Sequence, residues 1–207
     1  MVEEEGRHLP EKVQTGELTT SQVVSQVAKI QEIMKAVMVE GEHYGVIPGT
    51  NKPTLLKPGA EKLCFTFRFD PEYEVLPETV KRDDLIAYVL RCSLFNINSG
   101  LRIASGLGAC NSREARYRYR WISTEKPPGS DPKALVKTGG WRWQKGKDGW
   151  LLQKRVENDN PWDLDNTLFK MAAKRAFVAA ILSATAASDI FTQDLEDRPA
   201  PEAEDKA

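Results

Sequence analysis

Lys170-Met171-Ala172-Ala173-Lys174-Arg175-Ala176-Phe177-Val178-Ala179-Ala180-Ile181-Leu182 is an alanine-rich apolar run interrupted by three cations. It sits inside a run from Asp165 to Ser188 that would extend on the order of 36 Å at helical rise. Leu168, Met171, Ala172, Arg175, Ala179 and Leu182 share one broad side, while Phe169, Phe177 and Ile181 lie elsewhere. A helix that is apolar almost all round is buried, here against a sheet, and its alanines permit close approach. Lys170 and Lys174, one turn apart, point the same way. Together with Arg175 they are costly on a buried helix unless they line a groove or find partners. Three outcomes are open on spacing alone: contact with a polyanion, extension to solvent, or pairing with Asp163 and Asp165.

Upstream of this helix the pattern is that of a sheet. Tyr73 to Val80 is one expected strand. Asp84 to Asn96 is a second, with Leu85, Ala87, Val89 and Arg91 opposite Ile86, Tyr88, Leu90 and Cys92. Asn98-Ser99-Gly100 makes a tight turn, and Leu101 to Gly108 returns. Before the sheet, Thr19, Thr20 and Ser21 offer caps to a helix carrying Val23, Val27, Ile30, Met34, Val37 and Met38 on one stripe. Turn-rich sequence follows from His43 to Pro53, then a short helix from Ala60 to Phe67. Arg116 to Ile122 alternates as a strand, Lys126 to Gly140 is a Pro/Gly-rich loop, and Trp141 to Val156 is a hairpin turning on Gly146-Lys147-Asp148-Gly149. The order predicts an α+β domain: an antiparallel meander with a long helix packed across it, plus a basic hairpin insertion. We expect a flexible N-terminus over 1–17, one domain over 18–196 with its insertion at 113–164, and a disordered acidic tail over 197–207.

The chain has 207 residues and a net charge of −1. That total conceals a segregated distribution. From Arg113 to Arg155 there are twelve Lys/Arg against four Asp/Glu, a local charge of +8, whereas both ends are acidic. Such a basic segment is the footprint of nucleic-acid binding. No stretch approaches the roughly 20 apolar residues of a membrane span. Met1-Val2-Glu3-Glu4-Glu5 lacks the features of a signal peptide. Cys64, Cys92 and Cys110, odd in number and widely spaced, are expected to be reduced thiols in a cytoplasmic protein.

Within the basic segment, Arg116-Tyr117-Arg118-Tyr119-Arg120-Trp121 would put arginines on one strand face and aromatics on the other. Arginines track phosphates, and aromatic faces stack bases for roughly 1–3 kcal/mol each. Trp141-Arg142-Trp143 and Trp150 repeat the pattern, with Lys154 and Arg155 nearby. The candidate DNA contacts are therefore Arg113, Arg116, Arg118, Arg120, Arg142, Lys154 and Arg155, together with Lys170, Lys174 and Arg175. Candidate base-stacking residues are Tyr117, Tyr119, Trp121, Trp141, Trp143 and Trp150. Enzymatic signatures are thin. There is no Gly-x-x-x-x-Gly-Lys-Ser/Thr loop, and Gly106-Leu107-Gly108 is too short for a dinucleotide fingerprint. His8 and His43 are not at metal spacing. Asp131-Pro132-Lys133 comes nearest to a nuclease motif but lies in a loop, Asp83-Asp84 reads as a turn, and His43 as a structural residue.

The span from about Thr54 to Phe191 resembles the single-strand annealing proteins, of the Erf, RecT and Rad fifty-two types. The residues carrying that resemblance are Lys57-Pro58-Gly59-Ala60-Glu61-Lys62-Leu63, the meander ending in Ala104-Ser105-Gly106-Leu107-Gly108-Ala109-Cys110-Asn111-Ser112, and the helix core from Lys170 to Val178. The insertion from Arg113 to Leu164 departs from the family pattern. The resemblance implies ATP-independent binding and annealing of single-stranded DNA in recombination or repair, with no catalytic residue, metal or cofactor. It also implies a homo-oligomeric ring or arc with Lys174 and Arg175 as groove cations and Lys170 one turn earlier. Edge strands and the helix at Val23 to Met38 would then be subunit contacts. The acidic tail could contact a recombination or replication partner. The rivals are a metal-dependent nuclease or nucleotide-processing enzyme, and a regulatory oligomer whose Trp-rich hairpin binds protein.

Overall fold

The computed structural model describes residues 19–46, 52–125, 130–137, 139–147 and 149–192. The expected flexible N-terminus, the acidic tail and the turn at Pro48-Gly49-Thr50 lie outside the described residues. The fold is α+β, with antiparallel sheets and a long C-terminal helix packed across one of them. Two compact units form. The first holds described residues up to Pro77 with Val89–Ala109 and those from Met171 onward; the second holds Glu78–Tyr88 and Cys110–Lys170. The expected insertion at 113–164 falls inside the second unit.

In the first unit, α1 (Thr20–Val37) begins with a capping box: Thr19 Oγ1 accepts from the Gln22 amide while Gln22 Oε1 accepts from the Thr19 amide. Its expected apolar stripe is partly covered, with Val27 and Met34 half-buried. Ile30 is buried within the helix and Met38 at its end, whereas Val23 and Val37 are exposed. Strands β1 (Tyr44–Gly45) and β2 (Thr54–Leu55) pair and lead into α2 (Lys57–Thr66). Strand β3 (Phe69–Val75) then pairs antiparallel with β5 (Leu85–Asn96). The expectation of one strand from Tyr73 to Val80 is corrected here. Pro77 lacks an amide donor and breaks the ladder after Leu76, and β4 (Val80–Arg82) is a separate strand on β5.

Strand β5 alternates without a fault: Ile86, Tyr88, Leu90, Cys92 and Leu94 are buried, and the residues between them are half-buried. Asn96 shapes the following turn by accepting from the amides of Asn98 and Ser99 through its side-chain oxygen. Gly100 closes that turn at φ +66°, and β6 (Arg102–Asn111) returns to pair with β5.

Helix α4 (Asp165–Thr185) crosses the sheet at β6. Gly106 and Gly108 lie directly beneath its backbone at Ala172, Ala176 and Ala180, all three fully buried. The helix ends three residues earlier than the sequence suggests, because Ala186 takes a left-handed conformation before a 3-10 turn at Ala187–Asp189.

The second unit contains a three-stranded antiparallel sheet in the order β7 (Tyr119–Ser123), β9 (Trp150–Glu157), β8 (Trp141–Lys145). The expected strand from Arg116 is shorter at its start. Arg116 to Arg118 form a turn, with the amides of Tyr117 and Arg118 both donating to the Glu114 carbonyl. The expected loop from Lys126 to Gly140 contains a short helix, α3 (Pro132–Lys137).

Candidate nucleic-acid interface

Register assigns every side chain of the second unit's sheet to a face. Tyr119, Trp121, Arg142, Gln153 and Arg155 share one face; Trp141, Trp143, Lys145, Trp150, Leu152 and Lys154 share the other. On the first face two guanidiniums lie on aromatic rings. Arg142 sits 4.4 Å from the centre of Trp121, and Arg155 sits 3.9 Å from that of Tyr119. Arg142 Nε also donates to Gln153 Oε1, and Gln153 Nε2 donates to Ser123 Oγ. On the opposite face the Lys154 ammonium stands 5.7 Å from the Trp141 ring.

These contacts matter because of what the cations do not touch. Among the described residues, Arg142, Lys145, Lys154 and Arg155 have no carboxylate partner. A stacked guanidinium keeps its N–H donors at its edge, where they can fork onto a phosphate. Stacking is worth about 0.5–1 kcal/mol at exposed positions and holds a long side chain in one place. Tyr119 and Trp121 therefore each give a ring face to an arginine. Sequence alternation alone suggested base stacking at both positions.

Three other candidate arginines are neutralised. Arg113 pairs with Asp84 at 2.8 Å, Arg118 with Glu157 at 3.0 Å, and Arg120 with Asp159 at 2.7 Å. Arg116 is exposed beside the Tyr117 ring. Tyr117 itself is only 7% exposed, so as a stacking residue it is corrected: its ring is packed into the unit and offers no face to a base. Trp143 and Trp150 are open instead, at 43% and 66% exposure.

On α4, the alternative that the cations pair with nearby aspartates does not hold. Asp165 accepts from Tyr88 Oη at 2.7 Å and pairs with Lys81, while Asp163 accepts from Asn160 Nδ2. The Tyr88 hydroxyl, followed by Lys81, holds the Asp165 carboxyl below the usual carboxylate range. Lys170 is exposed and Lys174 half-buried, and among the described residues neither has a carboxylate partner. Arg175 is different. Its guanidinium donates to the Ala109 carbonyl of β6, which ties helix to sheet and gives it a structural task.

No protein-family model matches the chain, and neither a curated protein nor a solved structure matches it.

The residues suggested for enzymatic chemistry have structural settings. His43 is buried, its Nδ1 accepting from the Val39 amide at 3.0 Å. Asp83 and Asp84 form the turn between β4 and β5, and Asp84 also meets Arg82. Asp131 Oδ1 accepts from the Lys133 amide at the start of α3. Among the described residues, no three His, Cys, Asp or Glu side chains gather as metal ligands. Burial pushes the Cys64 and Cys92 thiols up to about 11, so both are protonated at neutral pH. No helix among the described residues is long and apolar enough to cross a membrane.

Sequence reasoning missed two contributors. Gln153 positions Arg142, and Lys133 on α3 stands beside Trp143 and Trp150. The first has no local signal, because its partner is fixed by cross-strand register. The second was hidden by a loop assignment over the α3 sequence.

Proposed function

We propose that this chain binds single-stranded DNA by its phosphate backbone and promotes annealing of complementary strands by binding alone. The observation that carries the reading is the set of four sheet cations that have no carboxylate partner among the described residues, two of them stacked on aromatic rings. The ion-paired arginines on the same unit make the contrast: where neutralisation is available the sheet uses it, and at Arg142, Lys145, Lys154 and Arg155 it does not. Each phosphate contact releases condensed counterions, so the affinity is mostly electrostatic and independent of sequence.

Strand β8 is an edge strand, and its consecutive residues Arg142 and Trp143 project to opposite faces. A single strand crossing this edge meets a guanidinium on one side and an open indole on the other, which a stiff duplex cannot do. Lys170 and Lys174, one turn apart on α4, are a separate pair of candidate phosphate contacts. Bases held away from the protein then sample a complementary strand. The resemblance to single-strand annealing proteins supports recombination or repair as the setting, a homo-oligomeric ring or arc as the working form, the cytoplasm as its location and the acidic tail as a partner contact. No nucleotide, metal or catalytic group enters the mechanism.

Annealing is tested by mixing complementary oligonucleotides, one labelled with a donor and the other with a quencher, in the absence of ATP and divalent metal. The rate is expected to rise with protein concentration. A rate equal to that of the free strands at all concentrations rules the proposal out.

A further inference from the structure

We infer that Trp143, Trp150 and Pro132 form a pocket that takes one unpaired nucleobase of the bound strand, and this rests on the single-strand reading above. Those residues, with Asp131 and Lys133, line an open cleft of about 520 Å3 between α3 and the second face of the sheet. That volume is within the range of about 300–1,000 Å3 typical of small-ligand pockets. Its walls are mostly apolar, and they include two of the larger hydrophobic surfaces that the second unit leaves in water. A tryptophan gains most when its ring is covered, so two open ones facing a shared cleft mark a binding surface.

The charges around the cleft decide among occupants. Lys133 lines it, and Lys145 lies directly across from Trp150 in the β8–β9 register. Lys154 is on the same face. A cation lining an aromatic cleft, with two more on the same sheet face, suits a base stacked on an indole with its phosphates outside, as in sequence-tolerant single-strand recognition. Asp131, the one acid in the lining, suits the N–H edge of a base. A proline-rich peptide would use the tryptophans but leave Lys133 and the cations of this sheet face without a counter-charge.

The division of labour among the aromatics follows. Trp121 and Tyr119 carry arginines, Trp141 lies beside Lys154, and Trp143 with Trp150 holds the base. One nucleotide is anchored at this pocket while its neighbours stay exposed for pairing.

The test compares two labelled 12-mers on the full chain, one of ordinary deoxynucleotides and one with the same phosphates but abasic throughout. Wild type is expected to bind the base-bearing strand about tenfold more tightly. Trp150→Ala should bind both strands with the weaker affinity and with an unchanged salt dependence, and Trp150→Phe should restore much of the difference. Trp150 is the more exposed of the pair, so its replacement leaves the core intact. A base-dependent advantage that survives Trp150→Ala and Trp143→Ala overturns the pocket while leaving single-strand binding in place. So does indole fluorescence that responds to a proline-rich peptide and not to the 12-mer. Failure of wild type to bind either strand at low salt overturns the single-strand reading itself, and the pocket with it.

Discussion

Gly108→Ala is expected to cost about 3 kcal/mol of stability, the upper end of what overpacking usually does. A β-carbon at this position would fall inside contact distance of the Ala176 amide nitrogen and the Ala172 carbonyl oxygen. All the nearest atoms are helix backbone, and even Ala176 Cα would stand at 2.9 Å. A flexible side chain can swing aside, but here α4 must lift from β6. Lifting it separates Ala172, Ala176 and Ala180 from the sheet and pulls Arg175 from the Ala109 carbonyl. Gly106→Ala acts one turn further along, against Ala176 and Ala180. Thermal denaturation followed by circular dichroism should show the midpoint falling by about 10 °C for Gly108→Ala. Gly45→Ala, with nothing near its added carbon, should stay within about 0.5 kcal/mol of wild type. Equal midpoints for Gly108→Ala and Gly45→Ala would refute the close approach of helix and sheet.

The second large effect concerns binding. Arg142→Ala with Arg155→Ala removes two cations that, among the described residues, have no carboxylate to release, so each loss appears directly in the affinity. With about 0.7 counterions released per single-strand phosphate, each contact contributes about a factor of five at 0.1 M salt. The double variant should therefore bind a labelled 12-mer about 25-fold more weakly, as read by fluorescence anisotropy. Lys170→Ala with Lys174→Ala tests the helix by the same arithmetic. It does so more cleanly than a variant of Arg175, whose bond to Ala109 would confound binding with folding. An affinity unchanged by the sheet variant and lost with the helix variant would move the interface to α4.

Much of the fold could be read from local pattern because local pattern is where its physics lies. The alternation of Ile86, Tyr88, Leu90, Cys92 and Leu94 requires a half-buried strand, and the alanines of α4 require close packing. The glycines of β6 complete that second statement, since small residues on both partners bring helix and sheet backbones together. The failures arise where tertiary contact overrides pattern. Arg116-Tyr117-Arg118 continues the alternation of the following strand, yet bonds to Glu114 fold it into a turn. The stripe on α1 has the right period, but its cover is partial: Ile30 and the terminal Met38 are buried, Val27 and Met34 half-buried, and Val23 and Val37 exposed.

The candidate interface was legible as composition rather than as geometry. A segment of +8 with interleaved aromatics identifies the region. It does not say which arginines are neutralised, since the partners of Arg113, Arg118 and Arg120 lie on other elements. Nor does it say which rings are occupied. Arg142 reaches Trp121, and Arg155 reaches Tyr119, through the β7–β9–β8 register alone.

If the sheet cations Arg142, Lys145, Lys154 and Arg155 hold a single strand by its phosphates, its affinity must fall steeply with salt. Anisotropy of a labelled single-stranded 12-mer, titrated with wild-type protein between 50 and 300 mM salt (about that range), gives log K against log salt. Four contacts, from Arg142, Lys145, Lys154 and Arg155, predict a slope of about −3 or steeper, falling by about 1.4 for Arg142→Ala with Arg155→Ala. Absence of binding at the lowest salt, or a slope that the sheet variant leaves unchanged, would refute phosphate binding by the sheet.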